Sequence, residues 1–378
     1  MNQPSERPYR LPGHISLREP QLRFGSKNAS DLDIHPMRGL LRFGPYSKDK
    51  LSAVPNPIRV AIIAPAGQTD RVLNLLRELE RSHHPRERRV YLPTFPGFEN
   101  VFGIRLARSG AAAIELPTDL SEQMARSPKP HVALAEALTR ALLSLRNMRH
   151  EFDVVLVLLD KRWDAGFHGP SDEDFDLHDY LKAYAASDGI CIQILREERA
   201  LSYFCRCSVA WRLGIALYTK AGGIPWVLAD VDPGSAFIGI DYALRTGTGP
   251  DSRFAICCSQ VFDAEGSGLE FVAYEADGVN MYGKNPFLRR DQMLKVMTRS
   301  LAIYHRKHAG DPPRRIVVHK NTEFRREEIE GVFDAFPKPA EPEPNRDFER
   351  APPSAVRAIL DDLPIHIRPN LPAARVQT

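Results

Sequence analysis

No apolar run in this chain approaches the roughly 18 to 20 residues that a membrane-crossing helix needs, so a membrane partner is not expected. The first twenty residues are polar and proline-bearing, with no apolar core of the signal-peptide kind, and the expected location is the cytoplasm. Cysteine is scarce. There are five, an odd number, and neither Cys205-Arg206-Cys207 nor Cys257-Cys258 has the spacing or the histidine pair of a zinc site, so they read as buried thiols. A glycine-rich phosphate loop is also missing: Ala64-Pro65-Ala66-Gly67-Gln68, after the first strand-like run, is a poor version of it, which weakens a nucleotide- or sugar-phosphate enzyme as the reading. Charge of one sign is lacking too, since 51 Lys and Arg face 48 Asp and Glu. A net charge of +3 says little about nucleic acid by itself. The distribution says more: basic residues gather in 81–89, 289–307 and 314–326, acidic ones in 172–179 and the tail, which is compatible with a basic groove and does not by itself establish one.

What is present is a chain of 378 residues with 43% hydrophobic residues, enough for two packed domains with extensions. Residues 1–56 are rich in Pro, Arg and Gly and read as an extended lead-in with room for one strand over Gly39 to Tyr46. From Ile58 the order becomes strand (Arg59 to Ala64), helix (Arg71 to Arg81), helix (His131 to Arg149), strand (Asp153 to Leu159), helix (Leu177 to Ala186), strand (Ile190 to Leu195) and helix (Val209 to Lys220). Alternating strands and helices across 57–225 predict a doubly wound, Rossmann-like α/β domain. Over 226–336 the order changes to three strands (Ala236 to Asp241, Arg253 to Phe262, Leu269 to Tyr274), a long helix from Arg289, a strand (Arg315 to His319) and a helix (Arg325 to Phe336). That is the order of an RNase H-like fold, incomplete at its C-terminal end. The proline-crowded stretch 337–378 reads as a mostly disordered tail with one helix-like piece, Ser354 to Leu363.

Holding a phosphate monoester takes several donors converging from different elements. His178 and Lys182, four apart on a helix, share one face; Gln193 stands on the next strand, and Lys220 ends the helix before Gly222-Gly223. Each alone has an ordinary reading as a solvated face, a strand-edge contact or a dipole-complementing lysine. Together with Leu217-Tyr218-Thr219-Lys220-Ala221-Gly222-Gly223-Ile224-Pro225-Trp226, Ile238-Gly239-Ile240-Asp241 and Val317-Val318-His319-Lys320-Asn321-Thr322, in this order over 58–336, the sequence resembles the MID and PIWI domains of short prokaryotic Argonaute proteins.

That resemblance implies guide 5′-phosphate binding by His178, Lys182, Gln193 and Lys220. It implies a guide RNA or DNA and a complementary target, expected to be single-stranded DNA. It implies no required cofactor, with magnesium at the guide 5′ phosphate as an option, and a separate APAZ-containing effector subunit, a sirtuin-like or TIR NADase, in a defence system. Argonaute nucleases cut with metal ions held by a carboxylate tetrad. Asp241 stands at the first tetrad position, whereas Asn321 stands where the second Asp belongs, and Glu270 and Glu275 are candidates for a further carboxylate only by proximity. The resemblance therefore implies recognition without cutting and a chain that is not an enzyme; an active magnesium- or manganese-dependent nuclease is the alternative. The basic helix residues Arg289, Arg290, Lys295 and Arg299 are candidates for backbone contacts. Asp172 to Asp179 with His168 and His178 could mimic a metal cluster, though irregular spacing favours a solvated acidic loop.

Overall fold

The computed structural model describes residues 19–25, 28–47, 54–170, 175–229, 231–232, 234–246, 253–264, 268–276, 279–282, 285–336 and 365–369. The lead-in is more ordered than the sequence suggests. It forms β1 (Leu22–Arg23), β2 (Leu32–Asp33) and a helix, α1 (Pro36–Phe43), where a strand was the expectation. Pro36 is tolerated because it occupies the first helical turn, and the His35 side chain accepts from Arg38 N there. Gly39, which reads as a breaker, is a packing residue: a Cβ would lie 2.1 Å from the Phe24 ring.

The first α/β unit contains β3 (Ile58–Pro65), α2 (Thr69–Leu79), α3 (Phe98–Phe102), β4 (Leu106–Leu116), α4 (Leu120–Arg126), α5 (Pro130–Arg146), β5 (Val154–Leu159), α6 (Leu177–Ser187), β6 (Ile192–Arg196), α7 (Glu197–Ala200) and α8 (Arg206–Lys220). Its sheet is parallel, in the order β4-β3-β5-β6. Every residue of β5 is buried, and alternate residues serve opposite faces. Val154, Leu156 and Leu158 join the core under α2 and α8; Val155, Val157 and Leu159 join the core under α5 and α6. Two-sided burial removes the period-2 signal, which is why β5 reads as a continuous apolar run. β4 was not foreseen, and β6, which among the described residues has a neighbour on one side only, leaves an open edge flanked by α6 and α8.

A short strand, β7 (Val227–Leu228), pairs with β1, so the lead-in is stitched to the segment after α8. Tyr46 N and Ser47 N donate to Pro225 O and Ile224 O at 3.0 and 3.1 Å, while Ser47 Oγ meets the buried Tyr218 hydroxyl at 2.8 Å. This clamp explains Gly222-Gly223. Gly222 has φ of +96°, and a Cβ on Gly223 would lie 2.3 Å from the Tyr218 ring, which is walled in and cannot retreat. Gly223→Ala is expected to cost about 1 to 3 kcal/mol by overpacking, read as a lower midpoint in chemical denaturation; an unchanged midpoint would show that the clamp gives way freely.

The second unit holds β8 (Ser235–Thr246), β9 (Arg253–Phe262), β10 (Gly268–Ala276), the hairpin β11 (Asn280–Tyr282) and β12 (Asn285–Phe287), α9 (Arg290–Lys307), β13 (Arg315–Lys320), α10 (Arg326–Asp334) and β14 (Ile365–Pro369). The sheet order is β10-β9-β8-β13-β14, antiparallel through β8 and parallel from β8 to β14. The three-strand meander followed by a parallel strand is the RNase H-like arrangement expected. A fifth strand also lies within the stretch read as a disordered tail, with Ile316 opposite Ile365 and Lys320 opposite Pro369. The predicted helix-like piece 354–363 lies outside the described residues.

Candidate guide 5′-end site

Asp176 fixes the start of α6. Its carboxylate accepts from His178 N at 2.8 Å and Asp179 N at 3.2 Å, satisfying two of the helix's orphan donors. With the helix phased this way, His178 and Lys182 lie one turn apart on the side facing the open edge of β6. Gln193 is the second residue of that strand, opposite Leu156 of β5, and its amide Nε2 donates to Ile194 O at 3.0 Å. α8 returns along the other flank and ends at Lys220.

Along this edge the four residues fall into two pairs. His178 and Gln193 line one cavity of about 300 Å³. Lys182 and Lys220 are not in its lining but lie within electrostatic reach of each other. Burial lowers the Lys220 pKa most, the Lys182 charge lowers it further, and Cys191 opposes the shift. Among the described residues no carboxylate pairs with either lysine. Burial beside a second ammonium group disfavours the charged form of Lys220, and an anion placed there would relieve it.

The sign of the pH dependence follows. A lysine whose folded pKa lies below its unfolded value of 10.5 binds fewer protons in the folded state across that interval, so stability rises with pH there. Protonated Lys220 costs stability below the interval. The expected result is a melting temperature that climbs from neutral pH toward pH 10 more steeply in the unliganded protein than in Lys220→Met. Parallel curves for the two proteins would show that Lys220 is not strained.

The cavity also contains residues that sequence reasoning did not reach. Arg196, Arg199 and Arg212 line it with Ile194, Leu195, Val209 and Leu213. Arg196 lies over the Phe167 ring at 4.9 Å and Arg212 over the Tyr203 ring at 5.5 Å, which holds both planes in place. Three guanidinium groups beside two lysines make this edge strongly anion-seeking. Only their placement at the end of β6 and on one side of α8 reveals it, because their sequence spacing of 3 and 13 matches no simple period.

Asp176, His178 and Asp179 lie close enough for their ligand atoms to share a cation, all within 4.8 Å, and His168 Nδ1 is 3.2 Å from the second Asp176 oxygen. The first Asp176 oxygen is already committed to the helix cap. Asp172 and Asp174 lie outside the described residues.

In the second unit, β8 and β13 run parallel with Ile240 opposite Lys320, which puts Asn321, just past the end of β13, beside Asp241 in the middle of β8, where a strand end was the expectation. Asn321 Nδ2 donates to Asp241 Oδ1 at 3.0 Å. An amide proton thus occupies a lone pair that a cation would otherwise take. Behind them Lys320, only 1% exposed, bonds both Glu328 oxygens at 2.7 Å and lies over the Phe287 ring. Glu328 also accepts from Leu288 N and Arg325 N, so this buried pair fixes the strand end that carries Asn321. Glu270 and Glu275 belong to β10, and their side chains lie outside the described residues.

The basic helix is divided. Arg290 is held by Asp334 at 2.5 and 2.8 Å and by Glu330 at 3.5 Å, tying α9 to α10. Arg289 lies 3.6 Å from Asp291, whereas Lys295 and Arg299, four apart on α9, are exposed on its outer face.

Neither a family profile nor a curated protein matches the chain. Solved structures do. The Argonaute of Aquifex aeolicus, in a structure with externally bound siRNA, aligns over 92% of this chain at 17% identity and a TM-score of 0.50. Drosophila Piwi aligns over 80% of it at 16% identity and a TM-score of 0.50. The aligned regions amount to 39% and 34% of those two proteins, so the chain spans little more than a third of their length. Identities this low establish the architecture alone: the chain has the Argonaute-like MID–PIWI fold, a Rossmann-like unit followed by an RNase H-like one.

Proposed function

We propose that this chain binds a guide nucleic acid by its 5′ phosphate and recognises a complementary target without cutting it. The observation that carries the reading is half-buried Lys220, its pKa lowered by burial and by the nearby Lys182 charge, with no carboxylate among the described residues paired to either lysine, on the edge where His178 and Gln193 line a cavity. A 5′ phosphate carries close to two negative charges at neutral pH. Placed between the ammonium groups it turns a repulsion into two charge-assisted hydrogen bonds, with the Gln193 amide and the His178 ring as further donors. Arg196, Arg199 and Arg212 would meet the charge that follows along the strand. The siRNA in the Aquifex structure is consistent with nucleic acid as the ligand class.

The absence of cutting rests on Asp241 and Asn321. A two-metal in-line displacement needs several carboxylates converging on the attacking and leaving oxygens. Here one carboxylate is already engaged by an amide, and in this reading the chain requires no cofactor for binding. A recogniser that does not cut needs a separate chain to act on its signal; in this reading that chain is an effector subunit of a cytoplasmic prokaryotic defence system. The direct test is to isolate the nucleic acid that co-purifies with the protein and determine its 5′ ends. A population of short strands with uniform 5′ phosphates is the expected result; random fragments with mixed ends would remove the basis for a guide.

A further inference from the structure

We infer that the surface next to the 5′ cavity, made of Phe204 and the arginine loop 86–91, is a stacking platform and phosphate track for the guide nucleotides that follow the anchored end. The inference rests on the 5′-end reading above and extends it to residues that reading leaves unused.

The connection from α2 to α3 is closed at its base by His83 and Phe95, whose backbones exchange hydrogen bonds of 2.8 and 3.0 Å. It is pinned to α8 by Trp211 Nε1 and Cys207 Sγ, which donate to Pro93 O at 2.9 and 3.4 Å. The loop therefore presents its tip from a fixed base. At that tip Arg86, Arg88 and Arg89 are exposed, and among the described residues no ion pair engages them. The acid between them, Glu87, is taken by the Tyr203 hydroxyl at 2.9 and 3.1 Å. Arg88 has φ of +45°, a conformation unfavourable for a side chain of its size, and it is held there by Tyr91 N and Leu92 N donating to its carbonyl at 2.8 Å.

The aromatic half of the surface adjoins it. Phe204 is 57% exposed and lies 5.0 Å, ring to ring, from Tyr203. Tyr203 in turn carries the Arg212 guanidinium on its face, and Arg212 lines the 5′ cavity. Cavity, aromatic pair and arginine loop thus form one chain of contacts. An exposed ring beside three arginines and a single acid, Glu87, matches single-stranded nucleic acid, whose bases offer flat faces and whose phosphates offer charge.

The test compares a 5′-phosphorylated oligonucleotide of about twelve residues, carrying 2-aminopurine near its 5′ end, with a 5′-phosphorylated dinucleotide. Phe204→Ala is expected to weaken the oligonucleotide about tenfold and abolish the stacking-dependent fluorescence change, with Phe204→Trp retaining both. Replacing Arg86, Arg88 and Arg89 by Ala is expected to lower the slope of log affinity against log salt by about 2, from roughly 0.7 per phosphate contact. Dinucleotide affinity should stay constant in all variants, which shows an intact pocket. Unchanged oligonucleotide affinity and salt slope would overturn the platform and leave the loop to an acidic protein partner. A wild-type protein blind to the 5′ phosphate, but with a reduced slope in the arginine variant, would instead sink the 5′-end reading and keep the nucleic-acid surface.

Discussion

Replacing Lys182 and Lys220 together by Ala is expected to weaken a 5′-phosphorylated oligonucleotide by about two to three orders of magnitude. Each charge-assisted hydrogen bond to phosphate contributes roughly 1.5 to 3 kcal/mol, and the two share one anion, so their losses add incompletely. The same oligonucleotide with a 5′ hydroxyl should lose no more than a few-fold, since its remaining phosphates bind elsewhere. The single variants should be unequal. Lys220 is half-buried and Lys182 exposed, so Lys220→Ala should cost more; solvent screens the Lys182 charge. Fluorescence anisotropy with both end groups decides the matter, and equal losses for phosphate and hydroxyl would defeat the pocket. The unliganded Lys220 variant should be no less stable than the parent, because it sheds a like-charge repulsion, so a loss of binding will not be a loss of fold.

With guide, complementary target and manganese, the protein is expected to leave the target strand intact. Asn321→Asp probes why. It sets a second carboxylate about 3 Å from Asp241, where the amide now donates. Two like charges at that separation repel by about 1 kcal/mol even in near-aqueous surroundings, a few degrees of melting temperature for a chain of this size. The expected signature is a melting temperature lowered in chelator and restored by millimolar manganese, while the parent responds to neither. Clean cleavage by the parent opposite the guide would overturn the non-cutting reading. A parent stabilised by manganese as strongly as the variant would show that one carboxylate and an amide suffice to hold the ion.

Much of the architecture was legible because burial writes a clear pattern. β3 and β5 are apolar on both faces, and the helices between strands end at recognisable signals such as Gly222. β4 escaped for the opposite reason. Its centre, Ser109-Gly110-Ala111-Ala112-Ala113, has neither branched nor aromatic residues, and its pairing with β3 slips between Val60 and Ile62, so its strand state comes from the neighbour and not from its own propensity. α1 was hidden by Pro36 and Gly39, residues that break helices in general and are accommodated here by position and by Phe24. β14 is short and lies among prolines, and it gains its place only by pairing with β13.

The sequence names polar candidates for the site and not the basic wall of the cavity beside them. His178, Lys182, Gln193 and Lys220 belong to elements whose order and spacing survive in one dimension. Arg196, Arg199 and Arg212 become neighbours only when α8 folds back along β6, and Arg290, which looked equally suitable for a backbone contact, is committed to Asp334 instead. A basic residue in sequence gives charge; its partner in space decides whether that charge is free to bind.

A crystal structure with a 5′-phosphorylated oligonucleotide bears most directly on the account. The terminal phosphate should sit between the Lys182 and Lys220 ammonium groups, within hydrogen-bond distance of both, with the Gln193 amide and His178 ring turned toward it. A 5′ end bound elsewhere, with both lysines still facing solvent, would contradict it.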